Sequence, residues 1–248
     1  MKKLLLPVAL TVAAALSGCT TMKVESKDYT AFRQARPQSI LVVPVINNSN
    51  EVDAASLFYS TLAVPLAERG YYVFPSNAVR GLMETEGLGD AGLIHETPAQ
   101  QLAPIFGADA VLYVEVMDWD SNYDVLSSSI QTEFLYTLKS GVTGDVLWQD
   151  QQRVVYSTSA NSGNILANLL VNAVTAVVNN TRSDFTPLAI QANVAVLSPQ
   201  GQGIPFGARS PNVELNDGLF PATGTGKITD ATTVAVSTPG MVLPTPES

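Results

Sequence analysis

The feature that most constrains the fold of this chain is an uninterrupted apolar run, Ile40–Val45, followed by a helical pattern and a second short strand. An apolar run without polar alternation is expected of a strand that is buried on both faces of a sheet. A helix is predicted over Glu51–Arg69, where Pro65 should kink or divide it and Gly70 should end it. Tyr71–Pro75 is the next predicted strand. The strand–helix–strand order predicts a right-handed parallel crossover.

The pattern of strands changes in the middle of the chain. Ala108–Val116 is a third predicted strand, and residues 128–139 and 146–157 then alternate polar and apolar side chains around the turn Thr143-Gly144-Asp145. Such alternation around a glycine turn predicts an antiparallel hairpin. Two further helices are predicted, over Ser76–Glu86 and from Thr97-Pro98 to Phe106. We therefore expect an α/β fold with a single mixed β-sheet flanked by helices and an extended C-terminal tail.

The composition divides the chain into four parts. Residues 1–18 are predicted to be a signal peptide, residues 19–38 a polar, lipidated tether and residues 39–215 the α/β lipoprotein domain. Within that domain, Ala192–Leu197 is expected to add one strand. Residues 216–248 are rich in Thr, Gly, Pro and Ala and contain few large side chains, which predicts a disordered tail.

The first stretch of the chain is a secretory signal with a cysteine at its exit. Met1–Lys3 is basic, and Leu4–Leu16 is an apolar segment of thirteen residues. A membrane span needs about 20 apolar residues, so this segment predicts a signal peptide. It ends in Leu16-Ser17-Gly18-Cys19, which contains the only cysteine of the sequence and looks like a bacterial lipobox. The other reading is an ordinary signal peptide followed by a chance cysteine.

A lipobox predicts that the thiol of Cys19 is acylated, with palmitate among the acyl chains, and that this cysteine becomes the first residue of the mature protein. Each buried methylene contributes about 0.8 kcal/mol, so two or three acyl chains would hold the domain at a lipid bilayer almost permanently. Thr20, and not an aspartate, follows the cysteine. By resemblance to enterobacterial sorting rules, this favours the cell outer membrane, with the domain in the periplasm or at the cell surface.

Charge and cysteine content exclude two classes of feature. The formal charge of −9 becomes −11 once Lys2 and Lys3 leave with the signal peptide. A strongly acidic chain lacks the basic surface that nucleic acids require, so no nucleic-acid partner is expected. With its one cysteine acylated, the mature protein has no disulfide, and its stability must come from packing.

Residues 163–180 are predicted to form a helix that is apolar except for one uncharged polar stripe. The stripe carries side chains at spacings of three and four: Asn164, Asn168, Asn172, Thr175 and Asn179. One reading is a core-packing helix with a polar outer edge. The other is an interaction helix whose amides form hydrogen bonds across a protein or membrane interface.

No residue pattern in the sequence predicts catalysis, and we expect neither enzymatic activity nor a cofactor or metal. Four polar residues have the spacing of the first ligands of a calcium loop: Asp118, Asp120, Asn122 and Asp124. However, Tyr123 occupies the position of the required glycine, and Ser129 that of the required glutamate, so we interpret the segment as a solvated loop. His95, the only histidine, is also interpreted as a solvated loop residue.

Several blocks of the sequence together resemble a family of bacterial outer-membrane lipoproteins of unknown function, typified by a neisserial surface antigen studied as a vaccine candidate. The blocks that carry the resemblance are Ile40–Pro44, Asn47-Asn48, Glu51-Val52, Pro65–Pro75, Gly87-Leu88, Phe106–Tyr113, Thr143–Trp148 and Ile204–Pro211. The resemblance implies a fold similar to the N-terminal domain of the periplasmic Tol protein, and it carries over no catalytic residue. Members of the family look like accessory envelope lipoproteins, often found with a relative of the curli secretion channel lipoprotein.

Two functions of different kinds follow from these features. The first is a non-catalytic accessory or docking component of an envelope assembly or secretion system. Its partners would be the lipid bilayer through acylated Cys19, other envelope lipoproteins such as a curli-channel-like protein, and a second copy in a homodimer. The alternative is a periplasmic component of an export system that binds a small ligand or substrate. Ligands of open α/β sheets bind at the carboxyl ends of strands, here near Asn47-Asn48 and the 87–92 loop.

Overall fold

The computed structural model describes residues 25–123, 128–158, 185–225 and 232–235. Its strands are β1 (Ser39–Val42), β2 (Ile46–Asn47), β3 (Tyr72–Val73), β4 (Ala110–Tyr123), β5 (Ser128–Ser140), β6 (Val146–Thr158) and β7 (Thr232–Ala235). Its helices are α1 (Thr30–Ala35), α2 (Ala54–Thr61), α3 (Ala63–Glu68), α4 (Ser76–Thr85), α5 (Ala91–Glu96), α6 (Ala99–Phe106), α7 (Thr186–Leu197) and α8 (Asn216–Leu219), and Val213–Leu215 is a 3-10 turn. Within the described ranges, no helix has both the length and the apolarity needed to cross a bilayer.

The strands form one mixed sheet in the order β3-β1-β4-β5-β6-β7, with β2 beside β4. β1 pairs in parallel with β3 and with β4, so that Ile40 lies opposite Val73 on one side and Ala110 on the other. β4, β5 and β6 form an antiparallel meander, and β7 pairs in parallel with β6. The predicted α/β fold, a single mixed sheet flanked by helices, is confirmed.

β1 is buried on both faces, as its uninterrupted apolar sequence predicts. Ile40 and Val42 belong to a large core cluster that includes the rings of α2 and the apolar side chains of α7. Leu41 alternates with them and belongs to a second cluster with Val79 of α4 and Leu102 of α6. Helices therefore cover the two faces of β1, and a polar residue at any of positions 40 to 42 would face one of the two cores.

α2 and α3 replace the single helix predicted over Glu51–Arg69. α2 ends at Thr61 and α3 begins at Ala63, which places Pro65 in the first turn of α3. The backbone N–H groups of a first turn have no intrahelical acceptor, so the N–H that Pro65 lacks removes no hydrogen bond. The predicted division of the helix by Pro65 is confirmed.

The strand predicted at Ala192–Leu197 is wrong, because this segment is the second half of α7. Leu188, Ala192 and Val196 are buried at a spacing of four residues, which is the spacing of one helix face. A short apolar run does not distinguish a buried strand from a buried helix. The helical spacing becomes visible only when the pattern is followed back to the start of α7.

The interpretation of residues 118–124 as a solvated loop is wrong as far as Tyr123, because β4 continues to that residue. Asp118 and Asp120 are exposed, whereas Trp119 between them is buried, and this alternation is that of a half-buried strand. A register shift between Val116 and Asp118 separates this part of β4 from its apolar first half. The shift breaks the period-two pattern, so the sequence reads as two separate segments.

The folded domain begins before residue 39. Tyr29 and Phe32 are buried, and helix α1 packs them against the sheet. The tether predicted over residues 19–38 is therefore wrong for residues 25–38. This stretch is polar on average, but its two aromatic side chains are large and apolar, and their burial fixes it to the domain.

The folded domain also continues past residue 215. Phe220 is buried, and its ring contacts the ring of Tyr29 edge to face at a centroid distance of 5.2 Å. The disordered tail predicted over residues 216–248 is wrong for α8 and the residues up to 225, and also for β7. These segments have the average composition of a disordered tail. They are nevertheless folded, because Phe220 is buried and β7 pairs with β6.

Candidate functional site

The N-terminal segment, defined here as residues 25–38, is fixed along its backbone by the C-terminal part of the chain. The N–H of Lys27 donates to the carbonyl of Gly201 (2.8 Å), and the N–H of Tyr29 donates to that of Pro221 (3.2 Å). The buried hydroxyl of Tyr29 donates to the carbonyl of Gly203 (2.7 Å), and burial raises the pKa of this phenol far above its usual value. The chain that follows the predicted anchor has therefore entered the core at Tyr29.

Lys27 of this segment and Asp150 of β6 form an ion pair, and both side chains are almost completely buried. Nζ of Lys27 also donates to the carbonyl of Gln149 (2.7 Å) and lies 5.3 Å from the ring centroid of Trp148. Asp150 accepts a second hydrogen bond from Gln152 (2.6 Å). Desolvation lowers the pKa of Lys27 and raises the pKa of Asp150, and their mutual attraction opposes both shifts.

The C-terminal segment Ile204–Pro211 wraps around the turn that joins α3 to β3. Arg69 Nε donates to the carbonyl of Ile204 (2.5 Å), and the hydroxyl of Tyr71 donates to the carbonyl of Pro205 (2.7 Å). The N–H of Gly207 returns a hydrogen bond to the carbonyl of Arg69 (2.7 Å). These three bonds fix the C-terminal segment on the edge of the sheet.

The guanidinium of Arg69 lies behind two aromatic rings of this region. Its carbon is 4.4 Å from the ring centroid of Phe206 and 5.6 Å from that of Phe220. Nη2 of Arg69 is buried and has no hydrogen-bond partner among the described residues, and burial lowers the pKa of the group. Gly70 beside it has a φ of +91° and leaves no room for a Cβ against Ser210, so only glycine permits this close approach.

A pocket of about 330 Å³, here called the aromatic pocket, lies between the N-terminal and C-terminal segments. Its walls are the rings of Phe32, Tyr71, Phe206 and Phe220 together with Pro37 and Pro205. Arg33 and Arg36 line it from α1 and its C-terminus. Arg33 pairs with Asp217, and Nε of Arg36 donates to the carbonyl of Arg33 (3.2 Å). The pocket therefore combines aromatic walls with a cationic rim.

A second concave region of about 390 Å³, here called the strand-end cleft, lies beyond the carboxyl end of β1. Val45, Tyr59 and Met83 form its buried floor, and the exposed side chains of Arg80 and Glu84 lie one turn apart on its rim. The guanidinium carbon of Arg80 is 5.4 Å from the ring centroid of Tyr59. Among the described residues, Arg80 has no carboxylate within 4 Å.

The strand-end cleft lies where the sequence predicts a ligand site, and part of the prediction describes its lining. Leu88, Gly89 and Ala91 from the 87–92 loop line the cleft. Asn47 does not, because its side chain closes a turn. It accepts a hydrogen bond from the N–H of Ser49 (3.0 Å) and donates one to the carbonyl of Glu51 (2.7 Å).

His95 is not the solvated loop residue that the sequence suggests, because the segment around it forms α5. Asp90 caps this helix by accepting a hydrogen bond from the N–H of Leu93 (3.1 Å). Nε2 of His95 lies 2.9 Å from the carbonyl of Pro44, and burial lowers the pKa of the imidazole. The neutral ring is a structural contact between α5 and the end of β1.

The acidic residues of β4 do not converge on a common point. Asp118, Asp120 and Asn122 lie at alternate positions of the strand, opposite Glu133, Gln131 and Ser129 of β5. Alternate residues of a strand lie side by side, roughly 7 Å apart, which is too far for one ion to bind three of them. Within the described ranges, no group of His, Cys, Asp and Glu side chains could hold a metal ion. Asp124 lies outside these ranges.

Two sets of predicted residues lie outside the described residues. The first is the lipobox Leu16-Ser17-Gly18 with the predicted lipidation site Cys19. The second is the stripe of the predicted interaction helix: Asn164, Asn168, Asn172, Thr175 and Asn179. Both sets stay predictions.

Two features are not predicted from the sequence: the lining of the aromatic pocket and the ion pair that fixes the N-terminal segment. A partial signal exists at Arg36-Pro37, because the residue before a proline disfavours helical backbone and marks a helix end. The buried rings of Tyr29 and Phe32, spaced by three in a polar stretch, are a second signal. The partner of Lys27 is 123 residues away in the sequence, and no local pattern indicates it.

Comparison with known proteins finds bacterial lipoproteins. The family model described as "Putative lipoprotein GNA1162-like" matches residues 27–209. The "Putative lipoprotein NMB1124/NMB1162" of Neisseria meningitidis serogroup B is 36% identical over 194 residues, which cover 78% of this chain and 87% of the relative. The crystal structure of lipoprotein GNA1162 from Neisseria meningitidis is 34% identical, covers 58% of this chain and 100% of its own, and has a TM-score of 0.47. The C-terminal domain of LpoB from Escherichia coli is 22% identical over 47% of this chain and 82% of its own, with a TM-score of 0.32.

Proposed function

Because this chain belongs to the GNA1162-like family of lipoproteins, we propose that it is a non-catalytic docking component of an envelope assembly or secretion system. It is anchored in the outer membrane through acylated Cys19. The observation that carries the proposal is the short distance between this anchor and the fold. The carbonyl of Glu25, six positions after Cys19, accepts a hydrogen bond from the side chain of Gln202 (2.6 Å). Six residues span at most about 20 Å, so the folded domain stays next to the membrane.

The way in which the N-terminal segment joins the domain supports this proposal. The segment is held by Lys27 and Tyr29 within the core, so the chain that follows the predicted anchor is fixed to the sheet from Lys27 onward. A domain held close to one membrane meets membrane-associated partners at a high effective concentration. Partner binding can then rest on modest contacts, which suits a docking protein.

The anchor is tested by changing Cys19 to Ser in cells. We expect Cys19→Ser to abolish labelling by a palmitate analogue and to move the protein from the membrane fraction to the soluble fraction, because its acyl chains are lost. Fractionation and in-gel detection of the label measure the two effects. A Cys19→Ser protein that stays in the membrane fraction would show that the anchor lies elsewhere.

The outer-membrane location has its own test at the position after the cysteine. Thr20→Asp keeps the acylated cysteine, so we expect this variant to stay lipid-labelled and membrane-bound. By the sorting rules that the sequence resembles, it should move from the outer-membrane to the inner-membrane fraction on a sucrose gradient. Thr20→Ser is the matched control and should remain with the wild type. An unchanged distribution of Thr20→Asp would contradict sorting by this residue.

The docking function is tested by mild crosslinking in cells followed by recovery of the tagged protein. We expect the acylated protein to recover specific envelope lipoproteins or a second copy of itself, and Cys19→Ser to recover less of each. Recovery of no specific envelope protein by the wild type across growth conditions would contradict the docking function.

A second candidate function, the binding of a small ligand during export, is favoured by the strand-end cleft. The cleft combines a buried apolar floor with an arginine on its rim, as expected of a site for a small amphipathic anion. A thermal-shift screen of such compounds tests it, with Arg80→Gln as the variant that should lose the response. No stabilising compound at millimolar concentration would contradict this function.

A further inference from the structure

We propose that the aromatic pocket binds the C-terminal carboxylate of a partner polypeptide whose last side chain is aromatic. This inference rests on the docking function proposed above and gives that function a recognition site. Rings and prolines would receive the last side chain, and Arg36 would bind the carboxylate.

The size and walls of the aromatic pocket fit one aromatic side chain. Its volume is about 330 Å³, and four of its lining residues are aromatic. Aromatic rings prefer edge-to-face neighbours, and this geometry already occurs beside the pocket between Phe206 and Phe220, at a centroid distance of 6.2 Å and an angle of 85°. Tyr71 and Phe220 line the pocket and are buried members of the main core cluster.

The charges around the pocket leave one cation for a ligand. Arg33 is paired with Asp217. The guanidinium of Arg69 lies behind the ring of Phe206 and does not line the pocket. Arg36 lines the pocket and, among the described residues, has no carboxylate within 4 Å. A guanidinium binds a carboxylate through two parallel hydrogen bonds, which favours a carboxylate over a neutral group.

The backbone conformation of Arg36 independently supports a role for its side chain. Arg36 has a φ of +45° and is the only non-glycine residue with a positive φ in the described part of the chain. It ends α1 in the left-handed conformation that glycine adopts most easily. An arginine at this position adopts a less favourable backbone conformation than a glycine would, and it places a guanidinium at the mouth of the aromatic pocket.

The pocket is also close in sequence to the predicted anchor. Arg36 follows Cys19 by seventeen positions, and six residues of this stretch form the compact helix α1. A partner that is held at the same membrane would therefore lie near this part of the chain. A carboxyl terminus is the part of a neighbouring membrane-associated protein that can enter a small pocket without unfolding that protein.

The test uses the acylated full chain in lipid nanodiscs and a fluorescein-labelled peptide that ends in Gly-Ser-Gly-Phe with a free carboxylate. Two comparison peptides carry a C-terminal amide or end in alanine. We expect saturable binding of the first peptide by fluorescence anisotropy and at least about tenfold weaker binding of the other two. The amide loses a hydrogen bond between charged groups, the alanine peptide loses a buried ring, and either loss accounts for that ratio. Equal binding of the amide, or no binding of the acid at millimolar concentration, would overturn the proposal.

Arg36→Gly separates recognition from folding. Glycine suits the positive φ, so we expect an unchanged or higher Tm together with at least about tenfold weaker peptide binding. Arg153→Gln on β6, an exposed arginine that lines neither pocket, is the matched control and should bind the peptide as the wild type does. Wild-type binding by Arg36→Gly would overturn the assignment. A vesicle experiment compares two non-acylated variants, Cys19→Ser and Cys19→Ser/Arg36→Gly. If neither binds the peptide and only Cys19→Ser adsorbs to phosphatidylglycerol vesicles, the peptide proposal is overturned in favour of a lipid headgroup.

The failure of this inference can be told apart from failure of the docking function. Crosslinking in cells compares Arg36→Gly with the wild type at equal amounts of membrane-bound protein. Loss of a partner from Arg36→Gly supports the pocket as its recognition site. Recovery of all partners by Arg36→Gly overturns the pocket and leaves the docking function in place.

Discussion

At the scale of single residues, Lys27 and Asp150 decide how the N-terminal segment sits on the sheet. Their side chains are 4% and 2% exposed, so both charges have left water. Desolvation of two ions costs as much as their attraction returns unless further hydrogen bonds complete the site, and Gln149 and Gln152 supply these bonds here. The pair therefore fixes the position of the segment more than it adds to stability.

Removal of one partner should be far more costly than removal of both. Lys27→Met keeps the aliphatic volume but leaves the carboxylate of Asp150 buried without its cation. We expect a loss of about 3–5 kcal/mol in the free energy of unfolding at pH 7, measured by urea denaturation. The double variant Lys27→Met/Asp150→Leu should recover most of this loss. A double variant as unstable as Lys27→Met would contradict the role of the uncompensated charge.

We also expect the free energy of unfolding of Lys27→Met to depend on pH with a definite sign. Burial raises the pKa of Asp150, and without Lys27 nothing of opposite charge offsets that shift. Between its unfolded pKa of about 3.9 and the raised folded value, the folded state binds more protons than the unfolded state. Its stability is then retained at low pH and lost as the pH rises through the folded pKa. The stability gap between Lys27→Met and the wild type should narrow from pH 7.5 to pH 5; a gap that widens would contradict this.

Single residues also show where sequence reasoning ends. The buried strand β1 is predictable because Ile40, Leu41 and Val42 are consecutive apolar residues, the pattern expected of burial on both faces. Arg36 and Asp150 carry no such signal, since exposed and buried charges look alike in a sequence. Their roles depend on the aromatic walls and on a pairing partner 123 residues away, and these appear only in the fold.

At the scale of elements, α7 shows how a buried helix can be misread as a strand. Its apolar residues surround it on several sides, so neither period stands out in the short run at Ala192–Leu197. The division of Glu51–Arg69 at Pro65 is predictable for the opposite reason, because proline acts on the backbone directly and not through its surroundings. Features that depend on a single residue, such as the break at Pro65, can therefore be predicted from this sequence. A helix that is buried on several sides, such as α7, shows no clear hydrophobic period and cannot.

A buried amide connects α7 to the rest of the core. Asn193 accepts a hydrogen bond from the hydroxyl of Tyr136 (2.7 Å) and donates one to Thr61 (2.9 Å), so it joins α7, β5 and α2. We expect Asn193→Ala to lower the free energy of unfolding by about 1–3 kcal/mol, since two buried hydrogen bonds are lost. Ile190→Ala, on an exposed part of the same helix, should change it by about 0.5 kcal/mol. Equal effects in thermal or urea unfolding would contradict the bridging role.

At the scale of the whole molecule, average composition misplaces both ends of the domain. Residues 25–38 and 216–225 are polar on average, and disorder is predicted from averages. The fold instead depends on a few aromatic side chains in these segments, which pack on one another across the N-terminal and C-terminal parts of the chain. Since the two segments also build the aromatic pocket, the misplaced boundaries conceal the candidate site as well.

Truncated chains test these boundaries directly. A chain of residues 25–248 keeps both segments, whereas residues 39–248 lack Tyr29 and Phe32, and residues 25–215 lack Phe220. Burial of one such ring contributes about 1.5–3 kcal/mol, so the loss of one or two rings removes about 1.5–6 kcal/mol from a domain whose total stability is of the order of 5–15 kcal/mol. We expect residues 25–248 to unfold cooperatively near the Tm of the non-acylated full chain, and each shorter chain to unfold at least about 3 °C lower or to aggregate. The larger drop should belong to residues 39–248, which also leave Asp150 without Lys27. Equal Tm values for residues 39–248 and 25–248, by circular dichroism, would show that the N-terminal segment is the tether that its composition suggests.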